Sequence, residues 1–410
     1  MPVEAGGANR YSVKLLYFGH LPMEGAGSAI IVLRHLRRLQ ASGWNIQVVG
    51  DWGQDASVCR AQGWPVHWLP HRRWWWPPYR RRNAWSARLQ HWLWAGEAHK
   101  AAGRSKPDAV LTYLSAFSDT LSQAAAAYAT RYQVPLTTLV HDDFAVFLKD
   151  RDETSLRHER YRWVLQASAQ NWFVSPELAT AYGFADPQNR NVLMPISEGW
   201  TVSAPRKPPS ESCLLVYAGN ARDPQIPVLE RMARLLEPEG MRLLVLADRT
   251  PALAAALERS PLLWRQPFAT NREALAWLQC HATALLVAYA DRSDDQPWVR
   301  SSFPSKLVEF AHLGMPVLLA APDDSAVASW ATRSGWQDWI RPDDAAGLLA
   351  FAKALRDLRL WQAAGQRALS VAKEHFDPDG IQAVFEQRLA LSGERRDESL
   401  LTAAVPLHDD

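Results

Sequence analysis

Short apolar runs alternate along the chain with longer segments whose apolar positions recur every three to four residues. Residues 13–18 (VKLLYF) read as a buried strand. A loop with Gly25 and Gly27 follows, then a helix that Ser28 can cap and whose apolar positions include Ile31, Leu33, Leu36 and Leu39. Gly43 ends it and residues 46–49 form the next strand, so the chain opens as a βαβ unit. The alternation continues with a strand at 109–114, an alanine-rich helix at 120–132, a strand at 136–141, a helix near 154–169, and apolar runs at 171–175 and 191–195. Residues 199–211 hold three prolines and little apolar content, which marks a linker. A second series follows: strands at 213–217, 242–247 and 283–288, a helix near 304–313, a strand at 316–320, and helices to about residue 391. Strands that alternate with helices predict parallel sheets covered on both faces. The expected domains are 13–198 and 212–375, with 376–391 as a last helix, and with 1–12 and 392–410 as flexible ends.

Composition narrows the picture. At 410 residues the chain has room for two or three domains of roughly 150 residues. An apolar content of 48% with 21% charged residues argues against disorder over most of the length. Lys plus Arg number 45 and Asp plus Glu 43, so the net charge of +2 favours no polyanionic partner. Cys59, Cys213 and Cys280 stand far apart, which excludes a disulfide scaffold and fits a reducing compartment. With no signal-like start and no long apolar run, the expected location is the cytoplasm.

The sharpest local signal is SSFPSKLVEFAHLGMP, residues 301–316. Pro304 suits a helix start, and Gly314 with Pro316 suits its end. The N–H groups near Ser305 then lack helical partners, and with the ammonium of Lys306 they would suit a phosphate. Glu309, one turn on, could accept hydrogen bonds from sugar hydroxyls. The plain alternative is a surface helix with Lys306 and Glu309 on its solvent side. His141 ends an apolar strand and precedes Asp142 and Asp143, and strand carboxyl ends line the crevice of an open α/β sheet. The alternative there is a loop or core histidine.

In this setting the run FPSKLVEFAHLGMPVLLA resembles the donor-binding segment of GT-B glycosyltransferases, most of all the retaining family 4 group. LLYFGHLPMEGAGSA is similar to that family's first strand and glycine loop, LTTLVHDD to its His-ending strand, and NVLMPISEGW to the approach to its linker. LLVYAGN resembles the first strand of its donor domain, and HFDPDGIQAVFEQRL its last helix, which crosses back to the first half. The resemblance implies two doubly wound Rossmann-like domains facing across a cleft. It implies a nucleoside-diphosphate sugar donor (UDP or GDP), no metal and no further cofactor. Gly27, Gly219, Arg222, Ser305, Lys306 and Glu309 would bind the donor, and His141 and Asp142 would stand at the reacting sugar. The sequence departs from the family in three places. Ser301 stands where many members have a first glutamate, Asn220 and Ile226 where many have Arg and Lys, and the glycine loop is only GAG.

From Ala56 to Gly96 no residue is acidic, and WPVHWLPHRRWWWPPYRRRNAWSARLQHWLW (64–94) carries eight tryptophans and six arginines. Such interleaving suits three environments: a packed loop with solvated arginines, an anionic bilayer surface, or single-stranded nucleic acid. No nucleic-acid motif accompanies it. Arg73, Trp74, Trp75, Trp76 and Arg81 are its candidate contacts to a membrane or an acceptor. The pairs Asp150–Asp152 and Asp377–Asp379 read as loop and helix-end charges.

The functional expectation is transfer of a sugar from a nucleoside diphosphate to the hydroxyl of a glycan or lipid-linked acceptor, by an enzyme peripheral to the inner face of a membrane. The alternatives are an inactive scaffold of the same fold and a nucleotide-sugar epimerase.

Overall fold

The computed structural model describes residues 13–24, 27–51, 53–69, 84–103, 106–114, 119–143, 161–199, 201–204 and 213–399. The chain builds two six-stranded sheets, ordered β3-β2-β1-β4-β5-β6 and β12-β11-β10-β7-β8-β9. All pairings within them are parallel. The first contains β1 (Lys14–Phe18), β2 (Asn45–Asp51), β3 (Val66–Leu69), β4 (Ala109–Leu114), β5 (Leu136–Val140) and β6 (Gln170–Phe173). The second contains β7 (Cys213–Ala218), β8 (Met241–Leu246), β9 (Leu263–Arg265), β10 (Ala284–Ala288), β11 (Val317–Ala320) and β12 (Trp339–Ile340).

Helices cover both faces of each sheet, so the central strands are buried throughout, as β4, β5 and β10 are along their whole length. Threonines inside these strands need partners, and they find them: Thr112 donates to the Phe18 carbonyl at 2.8 Å, and Thr138 shares a hydrogen bond of 2.7 Å with Ser168. The two-domain α/β architecture expected from the alternation is present. The edge strands β3, β9 and β12 were not foreseen, because they are short and only partly buried and so leave no continuous apolar run. Residues 191–195 form no strand and contribute one bridge, Phe173 to Val192. Asn189 turns the chain there with φ of 51°, and the Asn191 amide donates to the Phe184 carbonyl at 2.6 Å. Of the helix expected near 154–169, residues 161–169 fall within the described residues; 161–167 are helical, and the helix ends before Ser168.

In each sheet the winding reverses beside the first strand, between β1 and β4 and between β7 and β10. Those crevices are where ligands of doubly wound sheets bind. The chain passes between the halves twice. Val202 donates its N–H to the His312 carbonyl at 3.1 Å as it enters the second half. After Phe376 the helix Pro378–Ser399 lies on the first sheet, where Phe385 and Leu389 join the core.

Candidate functional site

The β7–β10 crevice collects cationic side chains. β7 ends at Ala218, and Gly219 follows with φ of +119°, a backbone that only glycine adopts without strain. The missing side chain matters as much: a Cβ there would stand 2.2 Å from both Cε and Nζ of Lys306. Lys306 arrives from the helix Ser305–Ala311, which follows β10 and begins after Pro304. Its ammonium sits 4.6 Å from the centre of the Tyr217 ring and 3.4 Å from the phenol oxygen. Burial, and then the nearby Arg222, push the Lys306 ammonium down to about 8. Arg222 is placed by a turn in which its N–H donates to Gln225 Oε1 at 3.0 Å, while Gln225 is tied to the Ala288 carbonyl at 2.7 Å. Its guanidinium lies over the Trp298 ring at 4.6 Å. Among the described residues no carboxylate pairs with Lys306.

Across the cleft, His141 closes β5. It is buried beside the Tyr113 ring at 5.2 Å, with no hydrogen-bond partner for Nδ1 among the described residues. Burial, and then His35, lower its pKa to about 3, so the ring is neutral around neutrality and bonds as an uncharged imidazole. Asp142 accepts from the Ser302 hydroxyl at 2.7 Å, and Ser175 donates to the Ser301 carbonyl. The segment just before the Ser305–Ala311 helix is thereby fastened to the first half.

Glu309 faces another neighbour. Its carboxylate forms an ion pair with Arg34 from the helix Gly27–Ala41, and it also accepts the backbone N–H of Glu198. Arg34 further reaches Glu198 Oε2 at 3.1 Å and the Ile196 carbonyl at 2.8 Å. The Arg34 and Glu309 side chains are only 5% and 10% exposed, so this bridge between the halves is largely buried while Glu309 keeps a small accessible part.

The structure therefore brings Gly219, Arg222 and Lys306 together, places Glu309 on Arg34, and sets His141 and Asp142 on the opposite wall. Ser305 is half-buried at the start of a helix of seven residues. Gly27 opens its helix with φ of +28° and open space around it. Arg73, Trp74, Trp75, Trp76, Arg81 and Asp150–Asp152 lie outside the described residues. Asp377 caps the final helix through the N–H of Gly380 at 2.9 Å, and Asp379 pairs with Arg38. Arg34, Glu198, Tyr217 and Trp298 went unnoticed in the sequence. Arg34 looks there like its neighbours Arg37 and Arg38, and only its burial separates it from them.

No protein-family model matches the sequence, and no curated protein matches it. Solved structures do. The Anabaena protein HepE in complex with UDP and glucose is 11% identical, with 95% of this chain and 100% of that one covered at a TM-score of 0.62. A glycosyltransferase from Rickettsia africae is 11% identical over 94% of this chain and 98% of that one, with a TM-score of 0.65. A putative UDP-N-acetylglucosamine 2-epimerase from Listeria monocytogenes is 14% identical over 94% and 97%, with a TM-score of 0.58. At such identities the likeness is one of fold, and that fold is GT-B: two doubly wound α/β domains with a cleft between them.

Proposed function

We propose that this chain transfers a sugar from a nucleoside diphosphate to an acceptor hydroxyl, with retention at the anomeric carbon, as the family 4 enzymes its 303–316 segment resembles do. The observation that carries the reading is the gathering of Lys306 and Arg222 around Gly219 at the β7–β10 switch point. In the proposed step the bond from the anomeric carbon to the phosphate oxygen breaks, and the acceptor oxygen bonds on the same face. The acceptor proton leaves with the diphosphate. Negative charge grows on that diphosphate, and Lys306, Arg222 and the N–H groups near Ser305 would meet it. His141, neutral, would hold a hydroxyl of the transferred sugar, Asp142 would keep the facing loop in place, and Glu309 would take hydroxyls of the donor. Gly27 would leave room at the entrance.

UDP is the donor nucleotide to test first, because it is the one HepE holds in its complex. With a UDP-sugar and no acceptor, slow release of UDP is expected, and His141→Ala should reduce that rate while UDP affinity stays within about twofold, as it touches only the sugar. The Listeria likeness favours one competing reading, an epimerase. An isomerised UDP-sugar among the products would select it. No turnover with any donor would select the scaffold.

The acceptor is proposed to be lipid-linked or a precursor of a cell-envelope glycan, met at a membrane surface through residues 64–94. Both ends of that stretch are anchored, since Trp64 and Trp94 are buried. Leu89, Trp92, Leu93 and Trp163 nevertheless stand exposed on this side of the first half, with Arg131 over the Trp92 ring at 4.1 Å. No described helix is long and apolar enough to cross a membrane. The chain is expected to co-sediment with anionic vesicles at low salt and to be partly released at high salt, as arginine contacts are screened. Changing Trp74, Trp75 and Trp76 to serine should remove the salt-resistant part. Absence of vesicle binding by the intact chain would refute the membrane contact.

A further inference from the structure

The buried bridge between the halves has a place in this chemistry. We infer that Arg34 is a positioning residue for the donor: it holds the Glu309 carboxylate in place and ionised, so that Glu309 can receive the donor's hydroxyls. The inference rests on the donor reading above and deepens it.

Three observations support it. Arg34 is buried, yet its guanidinium reaches the second half: Nη1 meets Glu309 Oε1, while Nε holds Glu198 of its own half. Glu309 and Lys306 are three positions apart on one short helix, so the bridge ties the backbone that carries the lysine to the first half. The bridge also answers an electrostatic need. A carboxylate buried beside Glu198 tends to take up a proton, and burial does raise the Glu309 pKa while Arg34 opposes that rise. The charged groups facing Glu309 are few. Arg34 comes from the Gly27–Ala41 helix and Glu198 from the approach to the linker. His312, one turn on, is directed instead to Thr201 and the Phe376 carbonyl, and His35 to Gln382. Loss of the arginine charge would leave burial unopposed and shift Glu309 further toward its protonated form, and a neutral acid is a weaker acceptor for hydroxyls than a carboxylate.

The test is UDP affinity by calorimetry across pH, expressed as the ratio of variant to intact chain, so that titration of Lys306 and of UDP cancels. Arg34→Gln keeps a side-chain donor but removes the charge. It should bind UDP about tenfold more weakly at the acid end of the titration and recover toward the intact chain as pH rises and Glu309 ionises. Arg34→Lys, which restores the charge, should show no such slope. Neither should the neutral pair Arg34→Gln with Glu309→Gln, which also serves if the single variant folds poorly. A flat ratio for Arg34→Gln, or a slope that persists in the neutral pair, would overturn the inference. Lys306→Ala is the control for the underlying reading. If Lys306→Ala binds UDP as the intact chain does, the donor site is misplaced. If it loses UDP while Arg34→Gln stays flat, only the role of Arg34 fails.

Discussion

Lys306→Ala is expected to lose UDP binding by about 10- to 100-fold while affinity for uridine stays nearly unchanged, since a hydrogen bond to a charged group contributes about 1.5–3 kcal/mol. The lysine lies against Gly219 and Tyr217, where it can reach a phosphate more readily than a base. Its lowered pKa of about 8 adds a second signature. The ammonium is the form that binds a diphosphate, and the bound anion stabilises it. UDP affinity of the intact chain should therefore be greatest below about pH 8 and fall as pH rises through that value, whereas Lys306→Ala should lack this fall. Isothermal titrations with UDP and uridine at several pH values measure both effects. Equal losses for the two ligands would remove Lys306 from the phosphates.

Gly219→Ala should produce nearly the same defect without touching a charge. The new methyl would lie 2.2 Å from the lysine's Cε and Nζ, and φ of +119° disfavours any side chain. The lysine end is flexible, so the clash is relieved by swinging the ammonium away from the crevice. The backbone strain costs about 1–3 kcal/mol, which a thermal melt should register as a modest loss. Because both changes remove one interaction, the double variant should bind UDP no worse than the weaker single variant. A double variant whose losses add would mean that Gly219 and Lys306 act on the ligand independently.

The buried central strands were legible because a parallel strand covered on both faces must be apolar nearly throughout, and LTTLV and AVLTYL met that requirement with threonines that bond locally. The helix start at Ser305 and the turn at Gly314 were legible from proline and glycine, whose backbone limits are local properties. What sequence could not supply was partnership over distance. Arg34 and Glu309 are a helix apiece and most of the chain apart, and nothing in either neighbourhood signals that one buries its charge against the other. The Ser302–Asp142 contact is of the same kind, a product of how the halves meet. The edge strands escaped notice because partial exposure removes the only pattern by which short strands announce themselves.

The final helix sets the order in which the chain can be completed during synthesis. Phe385 and Leu389 fill the first half's core, and Glu386 accepts the indole N–H of Trp44 at 2.8 Å. The first half to emerge from a ribosome thus lacks part of its interior until the second half has been made. In vectorial synthesis the early domain waits, with an apolar slot open, for nearly the whole chain to be released. A ribosome-bound nascent chain stalled before residue 378 should accordingly be more sensitive to protease in its first half than the released protein. Supplying residues 378–399 as a separate peptide should restore that resistance.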